Sequence, residues 1–309
     1  MDIYAPDYYK KFKCIADKCR HSCCVGWDVF IDSKAEKLYR SLQIPSAQLL
    51  LNSLVSNEDG VRIRMKADGR CPMLDERGLC RLISEGGEHL LSEICREHPR
   101  YYIELPSRLE IGLGICCEEA ARLALLSEGY PSMEKIGEDE KEPILADIPA
   151  LEKRDLAVEI LSSDIPFSEK LRALESESGV TLDIHTDTEW LDIFLGLEIL
   201  DKGWEELLLN LSRALAIKEE KALPQEYERM IARFMIYLSN RYIAAAEDEI
   251  ELRGAFGFTL IGGKMLYLLM LAEEELTENK ALDLARAYSS EIEYSEENTE
   301  NIMLEFEIC

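Results

Sequence analysis

Basic charge is in short supply in this chain. Its 35 Lys and Arg stand against 61 Asp and Glu, a formal net charge of −26. Such a surface repels phosphate backbones and anionic lipid, which sets aside nucleic acid and membrane surfaces as partners. A basic polypeptide or a cationic side chain is the guest it favours, and the same charge keeps a helical protein soluble. Long apolar runs are missing too. The most apolar late stretch, Phe258 to Ala272, is interrupted by Gly262-Gly263-Lys264 and, at about 15 residues, falls short of the roughly 20 that a spanning helix needs. The opening Met1-Asp2-Ile3-Tyr4-Ala5-Pro6-Asp7 is polar and acidic with no apolar segment behind it, so the expected location is cytoplasmic. The dinucleotide-binding fingerprint is absent as well. Gly112-Leu113-Gly114 is the only Gly-x-Gly, and it has neither a third glycine nor a flanking βαβ unit.

Cysteine, in contrast, is abundant and unevenly placed. Nine of the ten cysteines lie before residue 118, and the last is Cys309. Thiols stay reduced in the cytoplasm, so this many point to metal or catalysis before disulfides. The first cluster is Cys14-x4-Cys19-x3-Cys23-Cys24, followed by Cys71-Pro72, Cys80, Cys95 and Cys116-Cys117. Thiolates are soft ligands that suit zinc, copper(I) and iron–sulfur clusters, and one structural zinc or one 4Fe–4S cluster takes four of them. The candidate ligands Cys14, Cys19, Cys23, Cys24, Cys71, Cys80, Cys95 and Cys117 exceed one site. Either there are two sites or some thiols stand behind the ligands. Structural zinc motifs bring ligands in close pairs, whereas Cys71, Cys80 and Cys95 are spread singly, which favours a cluster pocket and leaves zinc as the alternative or second metal. The radical-forming Cys-x3-Cys-x2-Cys pattern is not met, because Gly26 stands at its third position after Cys19 and Cys23. Burial as small apolar residues accounts for one or two thiols, Cys116 and Cys309 first. His21, His89 and His98 are further nitrogen donors in reach of zinc, and His185 stands apart.

The expected fold is mainly α with a small α+β cysteine-rich N-terminal region and no Rossmann-type domain. Residues 1–130 read as the metal region. Residues 131–150, with three prolines and six acidic residues against two lysines, read as a linker, and 151–309 as a helical region. Asp32-Ser33 offers a helix N-cap, Val61 to Lys66 alternates as a strand does, and Asp75 to Gly78 reads as a turn. Trp190, Phe194, Leu197, Leu200, Trp204, Leu208, Leu211 and Leu215 recur as one buried helix face does, and Ser295 can cap a final helix through Asn298.

The string Phe12-Lys13-Cys14-x4-Cys19-x3-Cys23-Cys24-Val25-Gly26-Trp27, then Ile31-Asp32, resembles the opening of flagellin lysine N-methylases, relatives of cysteine-cluster proteins that chelate zinc or iron. The resemblance continues through Cys71-Pro72-Met73-Leu74-Asp75-Glu76, Gly78-Leu79-Cys80, Leu91-Ser92 with Cys95, and Pro99-Arg100. Ile115-Cys116-Cys117-Glu118 is similar to a Ser-Cys-Pro-Glu segment of that family, with Cys116 in place of serine and Glu118 in place of proline. More weakly, Tyr237 to Tyr242 with Arg241 resembles a Tyr/Arg-rich helix, and Ile292 to Asn298 resembles a segment in which histidine is common at the position of Tyr294. What the resemblance implies is methyl transfer from S-adenosylmethionine to lysine side chains of flagellin, or of another lysine-bearing protein, by an iron–sulfur protein. Methylation needs a neutral amine, and free lysine has a pKa of about 10.4. Tyr294, Glu293, Glu297 and Tyr242 are therefore the candidate catalytic groups, with exposed helical turns as their plainer role. The competing function is a metal-chelating or redox-sensing module without transferase activity.

Overall fold

The computed structural model of the chain describes residues 1–26, 29–58, 60–144, 148–217 and 222–307. Trp27 and Asp28, read from sequence as the start of a β-rich segment, and Cys309 lie outside the described residues. The chain forms two compact units. The smaller holds Lys13–Tyr101 with Cys117–Glu119, and the larger holds Met1–Phe12, Tyr102–Cys116 and Ala120–Cys309. Strand β1 (Asp2–Pro6) opens the larger unit.

The smaller unit follows with β2 (Val29–Phe30), α1 (Ser33–Arg40), α2 (Ala47–Ser53), β3 (Leu54–Asn57), β4 (Gly60–Ile63), α3 (Arg81–Gly86) and α4 (Glu93–Glu97). Its sheet has the order β2-β4-β3, antiparallel throughout. Asp32 caps α1 by accepting from the backbone N–H groups of Lys34 and Ala35, and its other oxygen accepts from Glu93 at the start of α4. One carboxylate thus ends the orphan donors of two helices, which seats α4 and its Cys95. Val29, Ile31, Tyr39, Leu50, Ile63, Met73 and Leu82 form the core, with Cys71 buried among them.

The larger unit continues with β5 (Arg100–Glu104), whose last three residues belong to it, then β6 (Arg108–Leu113), α5 (Glu118–Leu125), which belongs to it from Ala120 on, β7 (Met133–Glu138) and α6 (Pro149–Ser162). The sheet order is β5-β6-β1-β7, with β1 parallel to β6 and antiparallel to β7. The stretch read as a linker therefore carries an edge strand. Its charged residues hid the alternation, and charge on an edge is how sheets avoid further pairing.

Helices α7 (Phe167–Ser178), α8 (Asp187–Gly196), α9 (Lys202–Ile217), α10 (Gln225–Leu238), α11 (Glu249–Leu271), α12 (Glu278–Ile292) and α13 (Glu296–Glu307) complete the unit. The fold is mainly α, and among the described residues neither sheet is doubly wound. The face read as continuous from Trp190 to Leu215 is two helices. Trp190 and Phe194 are buried on α8, and Trp204, Leu208 and Leu211 on α9, but Leu200 is 49% exposed in the connection between them. There the buried Glu291 carboxylate accepts from the N–H groups of Leu200 and Asp201. Ser295 caps α13 by accepting from the Asn298 N–H.

Helix α11 runs straight through Gly262-Gly263 and is long and apolar enough to cross a membrane by length and composition, but 83% of its apolar window is buried inside the unit. Its glycines allow close approach of neighbours. A β-carbon on Gly257 would stand 2.0 Å from Phe306 Cγ on α13. Gly257→Ala should therefore lower stability by about 1–3 kcal/mol despite the better helix propensity of alanine. The urea midpoint checks this, and Phe306→Leu in the same chain should restore part of the loss.

A buried ion pair ties the sheet to α6. Arg154, 1% exposed, donates from Nη1 and Nη2 to the Glu110 carboxylate at 3.1 and 3.2 Å, and Glu110 is equally buried. Removing one partner strands the other in low dielectric. Arg154→Ala should cost about 3 kcal/mol, the low end of the usual range, because Arg108 still pairs with Glu110. Thermal unfolding measures it, and an unchanged midpoint would refute the pairing as a stabilising element.

Candidate functional site

The smaller unit sorts its thiols by backbone geometry. Cys71 donates its N–H to the Cys24 carbonyl at 2.8 Å, which sets these two loops side by side. Cys80 lies at the start of α3, bridged to Leu74, and Cys95 lies within α4. Cys24, Cys80 and Cys95 pack against the core that buries Cys71. Burial pushes the Cys71 thiol up to about 11, with Cys24 and Cys80 adding to it. Burial likewise pushes Cys95 up to about 12, with Cys24, Cys71 and Cys80 adding to it. Cys80 is raised by burial and by Cys24, and Cys24 by a hydrogen bond with Cys23 and by burial. Packing in or against the one core places these four thiols in one neighbourhood.

That donor set fits a thiophilic metal in number, softness and apolar surroundings. One buried and three half-buried thiols cannot all ionise without a cation among them. At the same time, no group of three or more His, Cys, Asp or Glu among the described residues stands in a metal-holding arrangement.

The other thiols go elsewhere. Cys19 lies 3.7 Å from Glu118 Oε2, and burial, Glu118 and Cys117 raise its pKa to about 11. Glu118 also accepts from the backbone N–H groups of Arg20 and His21 and pairs with the Arg20 side chain. The acid that stands where proline is expected thus clasps the 19–21 loop. Cys14 is exposed, and so is Cys23, which stays beside Cys24 through their hydrogen bond. Cys116, expected as a packing residue, belongs to the larger unit and donates its thiol to the Tyr294 hydroxyl at 2.9 Å. Burial lowers the His98 pKa to about 4, so this imidazole is neutral at physiological pH.

In the larger unit the chemistry gathers where α10 passes into a π-helical turn, Ser239–Ile243. Such turns re-aim side chains by inserting a residue. Here the turn carries Asn240, Arg241 and Tyr242. Glu293, its side chain fully enclosed, accepts on Oε2 from Tyr237 at 2.8 Å, Tyr242 at 3.1 Å and Arg241 at 3.1 Å. Its second oxygen, Oε1, is buried with no hydrogen-bond partner, and so is the hydroxyl of Tyr288. Burial and then the Glu293 charge hold the Tyr242 and Tyr288 phenols well above their ordinary pKa. Tyr294 is partly exposed, and burial and Cys116 raise its pKa too.

Of the four groups singled out from sequence, Glu293 and Tyr242 share one hydrogen-bonded network, with Tyr294 beside it. Glu297 does not join; it is exposed on the first turn of α13. The network also takes in Tyr237 and Arg241, whose i, i+4 spacing on a helix was the available signal.

Relatives are found by sequence. The chain is 28% identical over 125 residues to a protein named Lysine-N-methylase from Salmonella typhimurium and to another of that name from Salmonella choleraesuis. It is 27% identical over 125 residues to the "Flagellar biosynthetic protein FliU" of Salmonella muenchen. The match covers 38% of this chain, 31% of the two methylases and 74% of the FliU protein. These similarities support a relationship with the flagellin lysine N-methylases. No family model matches the chain, and no solved structure does.

Proposed function

We propose that this chain transfers methyl groups from S-adenosylmethionine to lysine side chains of flagellin or another lysine-bearing protein, in the reducing cytoplasm. The observation that carries the reading is Glu293, a buried carboxylate held by two tyrosines and an arginine, with one oxygen unspent. The relatives' names agree with it.

The lysine nitrogen must first lose a proton. Its lone pair then forms the C–N bond to the sulfonium methyl while the C–S bond breaks and its electron pair returns to sulfur, leaving S-adenosylhomocysteine. In this reading the Glu293 carboxylate takes the proton or orients the ammonium that loses it, and the tyrosines line the amine's path. A net charge of −26 draws lysine-bearing segments towards the protein.

Cys24, Cys71, Cys80 and Cys95 would hold a 4Fe–4S cluster, with zinc as the alternative there or at a second site with Cys19, Cys117 and Glu118. Such a centre supplies Lewis acidity or electrons, and it clamps the loops that bring its ligands.

Anaerobic protein incubated with methyl-labelled S-adenosylmethionine and flagellin should yield labelled lysine by mass spectrometry. The gathered thiols favour a second reading, a chelating or redox-sensing module. Metal-loaded protein that leaves flagellin unlabelled would establish that reading instead.

A further inference from the structure

The larger unit has a cavity of about 360 Å³ that the network around Glu293 does not use, lined in part by Tyr4, Arg108, Arg154, Asp155, Glu159 and Asn240. Its two guanidinium groups are not fully spent as donors. Arg154 Nε donates to Asp155, Nη1 to Glu110 and Asn240, and Nη2 to Glu110 alone, which leaves one Nη2 N–H over. Arg108 lies 4.8 Å over the Tyr4 ring, and its buried Nε has no partner. Asn240, 5% exposed, gives its carbonyl to Arg154 and lines the same cavity. Buried donors without acceptors are costly, and an anion that accepts from them relieves that cost.

The charges are mixed. Arg108 and Arg154 pair with Glu110, and Arg154 Nε also pairs with Asp155, so two positive charges meet two negative ones. Asp155 and Glu159 are exposed residues of α6 on the cavity lining. A lysine ammonium would meet two guanidinium groups there, and a phosphate dianion two exposed carboxylates. A ligand without net charge, with an anionic end and a cationic end a few bonds apart, finds a partner for each.

We propose that this cavity binds an α-amino-acid zwitterion, with its carboxylate towards Arg108, Arg154 and Asn240 and its ammonium towards Asp155 and Glu159. The chemistry is shared by a free amino acid and by the aminoacyl end of S-adenosylmethionine. The second source rests on the proposed methyl transfer, and the first does not. Asn240 gives occupancy a consequence, since the next two residues of the same π-turn, Arg241 and Tyr242, hold Glu293.

Calorimetric titration of the full chain tests this with L-methionine, its decarboxylated amine, S-adenosylmethionine and inorganic phosphate. L-Methionine should bind, and loss of the carboxylate should weaken binding about ten-fold or more, as expected for a charge-assisted pair. Arg108→Gln should weaken L-methionine similarly. Glu159→Gln, exposed and harmless to folding, should weaken L-methionine but not phosphate. Competition between L-methionine and S-adenosylmethionine identifies the cosubstrate as the source, and L-methionine binding without competition identifies a free amino acid. Absence of binding by both ligands, indifference to both variants, or phosphate binding as tightly as L-methionine would overturn the proposal. Binding that persists in protein unable to methylate flagellin would sink the transferase reading and leave this one standing.

Discussion

Glu293→Gln is expected to lower methyl transfer by about 10²–10⁴-fold, the usual contribution of a positioned acid–base group. The substitution keeps the volume and leaves an acceptor for Tyr237, Tyr242 and Arg241, which all converge on one carboxylate oxygen. What it removes is the charge and the proton-accepting oxygen Oε1, which has no partner of its own. The loss should therefore fall on kcat, with little change in thermal midpoint. Tyr242→Phe and Tyr237→Phe, each deleting one of three donors, should cost less, about 1 kcal/mol of transition-state stabilisation apiece. If Glu293→Gln turns over at the wild-type rate, Glu293 is a structural acid that fastens α12 to the π-turn, and the site lies elsewhere.

The second large effect is on metal. Serine at Cys24, Cys71, Cys80 or Cys95 should strip bound iron or zinc from anaerobically prepared protein. Serine at Cys14 or Cys116 should leave it in place. The first four thiols share one buried neighbourhood, whereas Cys14 is exposed and Cys116 belongs to the other unit. Structural zinc is worth about 10–16 kcal/mol of apparent binding energy in small domains, so losing one ligand of four should also destabilise the smaller unit severely. Ligation also demands thiolates, so binding should release protons and tighten as pH rises. Iron, sulfide and zinc analysis of the six variants gives the answer. If Cys14→Ser loses as much metal as Cys71→Ser, the grouping is wrong.

Much of this was readable in advance where a single residue's local chemistry decides the outcome. Asp32 capping α1, the turn at Asp75 to Gly78 and Ser295 capping α13 each follow from a short side chain meeting nearby N–H groups. Glu293 and Tyr242, both singled out from the sequence, are joined by one hydrogen bond, which residues 51 positions apart do not announce locally. Arg154 and Glu110 were not singled out, because neither carries a local sign that it will be buried against the other from 44 residues away.

The chain's composition and cysteine spacing settle that this is a helical, acidic protein with a thiol-rich N-terminal region, since periodicity and residue chemistry are local properties. Only the tertiary structure separates Cys116 from Cys117, adjacent residues that end in different units. It alone pairs β1 with β6 across a hundred residues and turns Arg241 and Tyr242 onto Glu293. Consecutive side chains point in different directions, and which one meets a distant partner depends on how the elements between them pack.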